Sequence, residues 1–111
     1  MIKKYRLCKK ADFENVIKGK IRLKNNNYSI IAEKNQLDHI RIGISVSKKL
    51  GKAHLRVRVR RQIRSMIAQF DIYPCKLDVI IIAKPGFLTS SYQDNLKILK
   101  EMIDKIILWK E

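Results

Sequence analysis

The sequence predicts an α/β sandwich in the order αβββαβα, with helices packed on a four-stranded mixed sheet. Three observations carry that prediction. Residues 39–47 alternate strictly, with Ile40, Ile42, Ile44 and Val46 on one side and Arg41, Gly43, Ser45 and Ser47 on the other. From Ala53 to Phe70 the period changes to helical, and Leu55, Val59, Ile63, Met66, Ile67 and Phe70 fall within an arc of roughly 120°. Between this helix and a second long amphipathic segment lies Val79-Ile80-Ile81-Ile82-Ala83, a continuous apolar run of the kind found in strands buried on both faces.

The remaining elements follow in order. Phe13, Val16 and Ile17 stand at i, i+3 and i+4, which predicts a short helix over Asp12–Lys18 that stops at Gly19. Lys20–Lys24 reads as a short strand, Asn25-Asn26-Asn27 as a turn, and Tyr28–Glu33 as a second strand. Asn35–Asp38 forms the next turn, ahead of the strand over His39–Ser47. That strand's Gly/Ser side is small and polar, so another stretch of chain can approach its backbone closely. The buried run spans Lys76–Lys84 and ends at Pro85-Gly86. From Ser90 to the C-terminus, Leu96, Leu99, Met102, Ile103, Ile106 and Ile107 repeat at helical spacing. A chain of 111 residues with 46% hydrophobic content and few Pro and Gly is expected to be one domain, residues 1–111.

The charge is one-sided. Residues 1–64 hold 19 Lys and Arg against four acids, a net of +15, whereas residues 65–111 hold six of each sign. No carboxylate side chain occurs between Asp38 and Asp71. On the helical wheel of the second helix, Arg56 borders the apolar arc, and Arg58, Arg60, Arg61 and Arg64 sweep the rest of the surface, with Val57 set among them. A patterned cationic surface without internal counter-charge points to a polyanion, nucleic acid first. Two other readings compete: a structural RNA-binding protein of the ribosomal kind, and a membrane-surface binder. The second is weakened because the apolar stripe of the arginine helix is matched to a sheet and leaves little to insert.

Other classes find no support. The ten acids are scattered, whereas a metal-dependent nuclease needs them clustered. His39 and His54 lack the flanking ligands of a zinc site. Gly51-Lys52 lacks the rest of a phosphate-binding loop, and Ser45 and Ser47 have no histidine placed to suggest a triad. Thus no catalytic or metal-ligating residue is assigned. No signal peptide or membrane span is expected, since no apolar run approaches the ~18 residues a span needs. Cys8 and Cys75 form no CxxC pair and read as free thiols in a reducing cytosol.

The basic block also carries a resemblance. Gly43-Ile44-Ser45-Val46-Ser47-Lys48-Lys49, then Gly51-Lys52-Ala53, then Arg56-Val57-Arg58-Val59-Arg60-Arg61-Gln62-Ile63-Arg64 resembles the hallmark of the bacterial ribonuclease P protein component. The opening Arg6-Leu7-Cys8-Lys9-Lys10-Ala11-Asp12-Phe13 and the run Asp78–Lys84 resemble the same family in the same order. The resemblance implies a left-handed crossover joining the third strand, the arginine helix and the fourth strand. It implies a cytoplasmic monomer in a 1:1 complex with a catalytic RNA, which removes the 5′ leader of precursor tRNA using Mg2+ held mainly by the RNA. By the same resemblance Lys48, Lys49, Lys52, Arg56, Arg58, Arg60, Arg61 and Arg64 face the catalytic RNA. A cleft with Phe13, Ile17, Ile31, Arg41 and Ser45 receives the single-stranded leader. Ile17 and Ile31 stand where the family is often aromatic and cannot stack on bases; Phe13 and Ile17 also fit plain core packing. Val57 stands where the family has asparagine, so its contact is either supplied elsewhere or replaced by packing on RNA or on Leu50.

Overall fold

The computed structural model describes residues 2–109. Helix α1 covers Lys10–Ile17, strands β1, β2 and β3 cover Ile21–Lys24, Tyr28–Lys34 and Arg41–Val46, and helix α2 covers Ala53–Ile67. Strand β4, Leu77–Ala83, is followed by a single helical turn α3, Gly86–Thr89, and the long helix α4, Tyr92–Ile107. Lys110 and Glu111, the end of the C-terminal segment read as helical, lie outside the described residues.

The strands form one mixed sheet in the order β1-β2-β4-β3. β1 and β4 run antiparallel to β2, and β3 runs parallel to β4, so that β3–α2–β4 is a crossover between adjacent strands. The apolar run of β4 thereby occupies an interior position and is covered on both faces, as its composition predicts. Val79, Ile81 and Ala83 join the large core under α2 and α4. Ile80 faces the other way, with Leu7, Val16 and Ile31, against α1. The sandwich thus has three layers, with α1 alone on one face of the sheet.

Element boundaries differ from the periodicity by one to three residues. Helix α1 begins at Lys10 because the Phe13 N–H donates to the Lys9 carbonyl at 3.0 Å and closes a turn ahead of the apolar stripe. Helix α2 stops at Ile67, yet the Phe70 N–H bonds back to the Ile67 carbonyl at 3.0 Å, which keeps Phe70 buried. The turn α3 is absent from the sequence reading, where Pro85-Gly86 marks only an end; proline also suits the start of a helical turn.

A buried polar cluster locks the β1–β2 turn to the helices above it. The Asn27 amide donates to Asn95 Oδ1 at 2.7 Å and to Ser90 Oγ at 2.9 Å, and the Asn95 amide donates to the Phe87 carbonyl at 2.9 Å. The Tyr28 hydroxyl donates to the Asn95 carbonyl at 2.9 Å. Every member has a partner, the condition under which buried polar groups stabilise a single packing.

Candidate nucleic-acid interface

Helix α2 has no acidic residue in its first turn and no side-chain cap at Lys52, so local electrostatics do little to hold it. Its stability comes from the stripe of Val59, Ile63, Met66 and Ile67, all buried against the sheet and α4. That packing fixes where every arginine points. Arg58, Arg61 and Arg64 are exposed, while Arg56 and Arg60 are half-buried on the flank nearer β3. The Arg56 Nε is shielded from solvent and has no hydrogen-bond partner. Ahead of the helix, Lys48–Leu50 forms a 3-10 turn capped by Ser47, whose Oγ accepts from the Lys49 N–H at 3.2 Å. Gly51 follows with φ of 146°, and a β-carbon there would meet Leu55 Cδ2 at 2.6 Å, so glycine is required for the sharp entry into α2. This bend brings exposed Lys48, Lys49 and Lys52 to the start of the arginine face.

Among the described residues the ion pairs are Asp38–His39, Arg41–Asp12, Arg41–Asp78 and Lys100–Asp104. None involves Lys48, Lys49, Lys52 or an arginine of α2. Val57 stands among these cations, 49% exposed. Leu50 packs on the main core and Val57 takes no part in it, so the side chain is presented outward.

On the opposite face of the sheet, α1 lies across β2 and β4. Phe13 is half-buried and its ring rests on β3: a β-carbon on Gly43 would lie 2.5 Å from Phe13 Cε2. The Leu7 N–H also donates to the Ile42 carbonyl at the edge of β3 at 3.0 Å, and a β-carbon on Gly43 would lie 3.4 Å from Leu7 Cβ, so the small side of β3 does receive another stretch of chain, the N-terminal segment with α1. A hollow of about 140 Å³ opens here, and Arg64 of α2 lines it together with Arg6, Phe13, Gly43 and Ile44. Pairing registers set the row next to Gly43 as Ser45, Ile82, Ser29 and Lys24, an open strip beside α1 that is half-exposed and ends in lysine.

The five residues assigned to a cleft do not form one surface. Phe13 and Ser45 border the strip. Ile31, 5% exposed, is walled in by Leu7, Val16 and Ile80, because α1 covers the middle of β2. Ile17 is 43% exposed at the far end of α1. Arg41 is engaged inside the protein. Its Nε and Nη2 donate to the two Asp78 carboxylate oxygens at 2.9 and 2.6 Å, and its Nη1 donates to Asp12 at 3.1 Å. Asn35 adds a bond to Asp78 at 2.9 Å. The hydrogen bond to Asp78 holds the Arg41 pKa above its ordinary value, against the opposing effect of burial. The larger hollow beside this cluster, about 460 Å³, is lined by Asp12, Glu33 and Asp78 as well as by Lys18, Lys34 and Arg41. Its acids offset its bases, which suits a polyanion poorly. Sequence reasoning missed Arg6 and the approach of Arg64 to Phe13; the cationic opening of the chain is the only hint of the first, and the second depends on packing.

The family model for ribonuclease P matches residues 1–107. The chain is 37% identical over 101 residues to the ribonuclease P protein component of Lactococcus lactis subsp. lactis, covering 91% of this chain and 86% of that protein. It is 39% identical over 114 residues to the component of Staphylococcus aureus, covering 96% and 99%. The solved structure of the Staphylococcus aureus RNase P protein is similar with a TM-score of 0.78 at 33% identity, over 90% of this chain and 93% of that one.

Proposed function

The chain belongs to the ribonuclease P protein family, and from that premise we propose that it binds the catalytic RNA through α2 and holds the single-stranded 5′ leader of precursor tRNA beside Phe13. The family works in tRNA processing with an RNA subunit. One observation carries the finer reading: the cations of α2 meet no carboxylate among the described residues, whereas Arg41 in the same molecule meets two. Guanidinium groups held by a buried stripe in fixed positions, with no internal partner, are arranged for external phosphates. Lys48, Lys49, Lys52, Arg56, Arg58, Arg60, Arg61 and Arg64 form that surface. Because Arg64 shares a hollow with Phe13, the RNA-facing helix and the leader path are contiguous. The leader crosses from that hollow along Ser45 and Ile82, with Arg6 and Lys24 near its phosphates.

The chain's acids do not fit a magnesium site of its own. Asp12 and Asp78 are bound to Arg41. Among the described residues no group of three or more His, Cys, Asp or Glu side chains lies together to hold a metal ion. Mg2+, on this reading, is held by the RNA, and the protein contributes binding: its cations offset repulsion between two RNAs, and its cleft adds contact with the leader. The protein acts in the cytoplasm as a monomer, in a 1:1 complex with the RNA.

The test is cleavage of precursor tRNA by the RNA subunit at moderate salt and low magnesium, with and without the protein. Protein alone is expected to cleave nothing, and the complex to cleave faster than RNA alone. Trimming the leader to one nucleotide removes part of the gain in substrate affinity, and Phe13→Ala reproduces that loss while affinity for the RNA subunit is retained. Equal stimulation of short- and long-leader substrates by the wild-type protein would sink the leader-binding half of the proposal.

A further inference from the structure

The flank of α2 that faces away from β3 borders a second hollow. It encloses about 340 Å³ between the first half of α2 and the joint of α3 with α4. Its floor is apolar, formed by buried Val59 and Phe87, and Leu88 stands at its wall 41% exposed. Some polar groups at its rim are already engaged. Ser90 Oγ accepts from Asn27 and donates to the Gly86 carbonyl, and the Tyr92 hydroxyl is hydrogen-bonded to Ser65 Oγ at 2.7 Å and to the Gln69 amide at 3.2 Å. These bonds make the far wall rigid. Two other groups that line the hollow, the half-buried Gln62 amide and the exposed Arg58 guanidinium, have no side-chain hydrogen bond or ion pair among the described residues.

We propose that this groove receives an unpaired nucleobase of the bound RNA, with Gln62 reading its edge, Leu88 against its face and Arg58 on its phosphate. The proposal rests on the reading of α2 as the RNA-facing helix. Charge complementarity selects the occupant: Arg58 belongs both to the groove and to the cationic face, so a polyanion lying along α2 passes the groove's mouth. An apolar floor has nothing to offer phosphate alone, whereas a base combines an apolar face with a polar edge. The volume lies at the small end of the ~300–1,000 Å³ typical of ligand sites, which suits one base rather than a larger ligand.

The experiment is a titration of the isotope-labelled full chain with uridine and adenosine 5′-monophosphates, beside ribose 5-phosphate and inorganic phosphate. The nucleotides are expected to shift the Leu88 methyl and Gln62 side-chain amide resonances saturably, and ribose 5-phosphate to leave them in place. Leu88→Ser and Gln62→Ala, both outside the buried core, should each weaken nucleotide binding by about threefold to tenfold, the range of one lost contact, with the buried Asn95 amide unmoved as a check on folding. Leu88 and Gln62 resonances that stay still with nucleotides, or that move equally with ribose 5-phosphate, overturn the proposal. Titration with the RNA subunit separates the two readings. Response at Arg60 and Arg64 without Leu88 defeats the groove alone; no response at any of them defeats the RNA-facing reading as well.

Discussion

Val57 is a β-branched apolar residue, 49% exposed on a cationic helix, at the position where the resemblance to the family implies asparagine. It costs α2 a little helix propensity and gives nothing to the core, since it lies outside the packed cluster. On the proposed reading its effect is therefore decided at the RNA. If a polar contact is missing there, Val57→Asn tightens binding to the catalytic RNA by about 0.5–1.5 kcal/mol, one hydrogen bond, measured by filter binding; weaker binding would mean that valine packs on the RNA productively. Tyr28 is the opposite case, fully buried with its hydroxyl bound to the Asn95 carbonyl at 2.9 Å. Burial, with a smaller contribution from Tyr92, pushes its pKa well above the ordinary value of 10.0. The folded state thus keeps a proton that the unfolded state releases above pH 10, so stability falls as pH rises through and beyond that value. Tyr28→Phe should cost about 1 kcal/mol at neutral pH and flatten the alkaline decline; an unchanged alkaline limb in denaturant titrations would refute that assignment.

At the scale of elements, α1 is the weakest piece that the proposed site depends on. It has eight residues and no side-chain N-cap, too short to persist on its own. Val16 in the smaller core and the Arg41 cluster attach it to the sheet, with Arg41 on β3 gripping Asp78 on β4 and Asp12 on α1 at once. The Arg41 and Asp78 side chains are only 23% and 10% exposed. Removing the guanidinium leaves a nearly buried carboxylate without its counter-charge, so Arg41→Ala should destabilise the protein by about 3 kcal/mol. Urea unfolding should show a lower midpoint with unchanged slope, and amide exchange should rise first in α1. A midpoint within error of wild type would show that the cluster is dispensable and that Phe13 is positioned by packing alone.

At the scale of the whole molecule, +13 of the net charge of +15 sits on α2, its lead-in and residues 1–10, while the rest of the chain sums to +2. Binding of the RNA subunit is therefore expected to weaken steeply with salt. Arg60→Ala should reduce the log–log slope by about one, and an unchanged slope would remove Arg60 from the phosphate contacts. Much of this was legible in the chain. The two-residue period of β3, the helical stripe of α2 and the run at 79–83 determined the element order, because burial on one face or two imposes a pattern on adjacent residues. The absence of carboxylates between Asp38 and Asp71 determined that the basic face looks outward, because any counter-charge would have to come from a distant segment. Such a partner was what the sequence could not exclude for any single arginine. Packing brought Asp12 and Asp78 to Arg41 from 29 and 37 residues away, and among the described residues it brought no acid into an ion pair with α2. Tertiary structure alone also decided that Ile31 is sealed beneath α1 and that Arg64 shares a hollow with Phe13. Each of these depends on how a helix crosses a sheet, a relation between segments that no local pattern records.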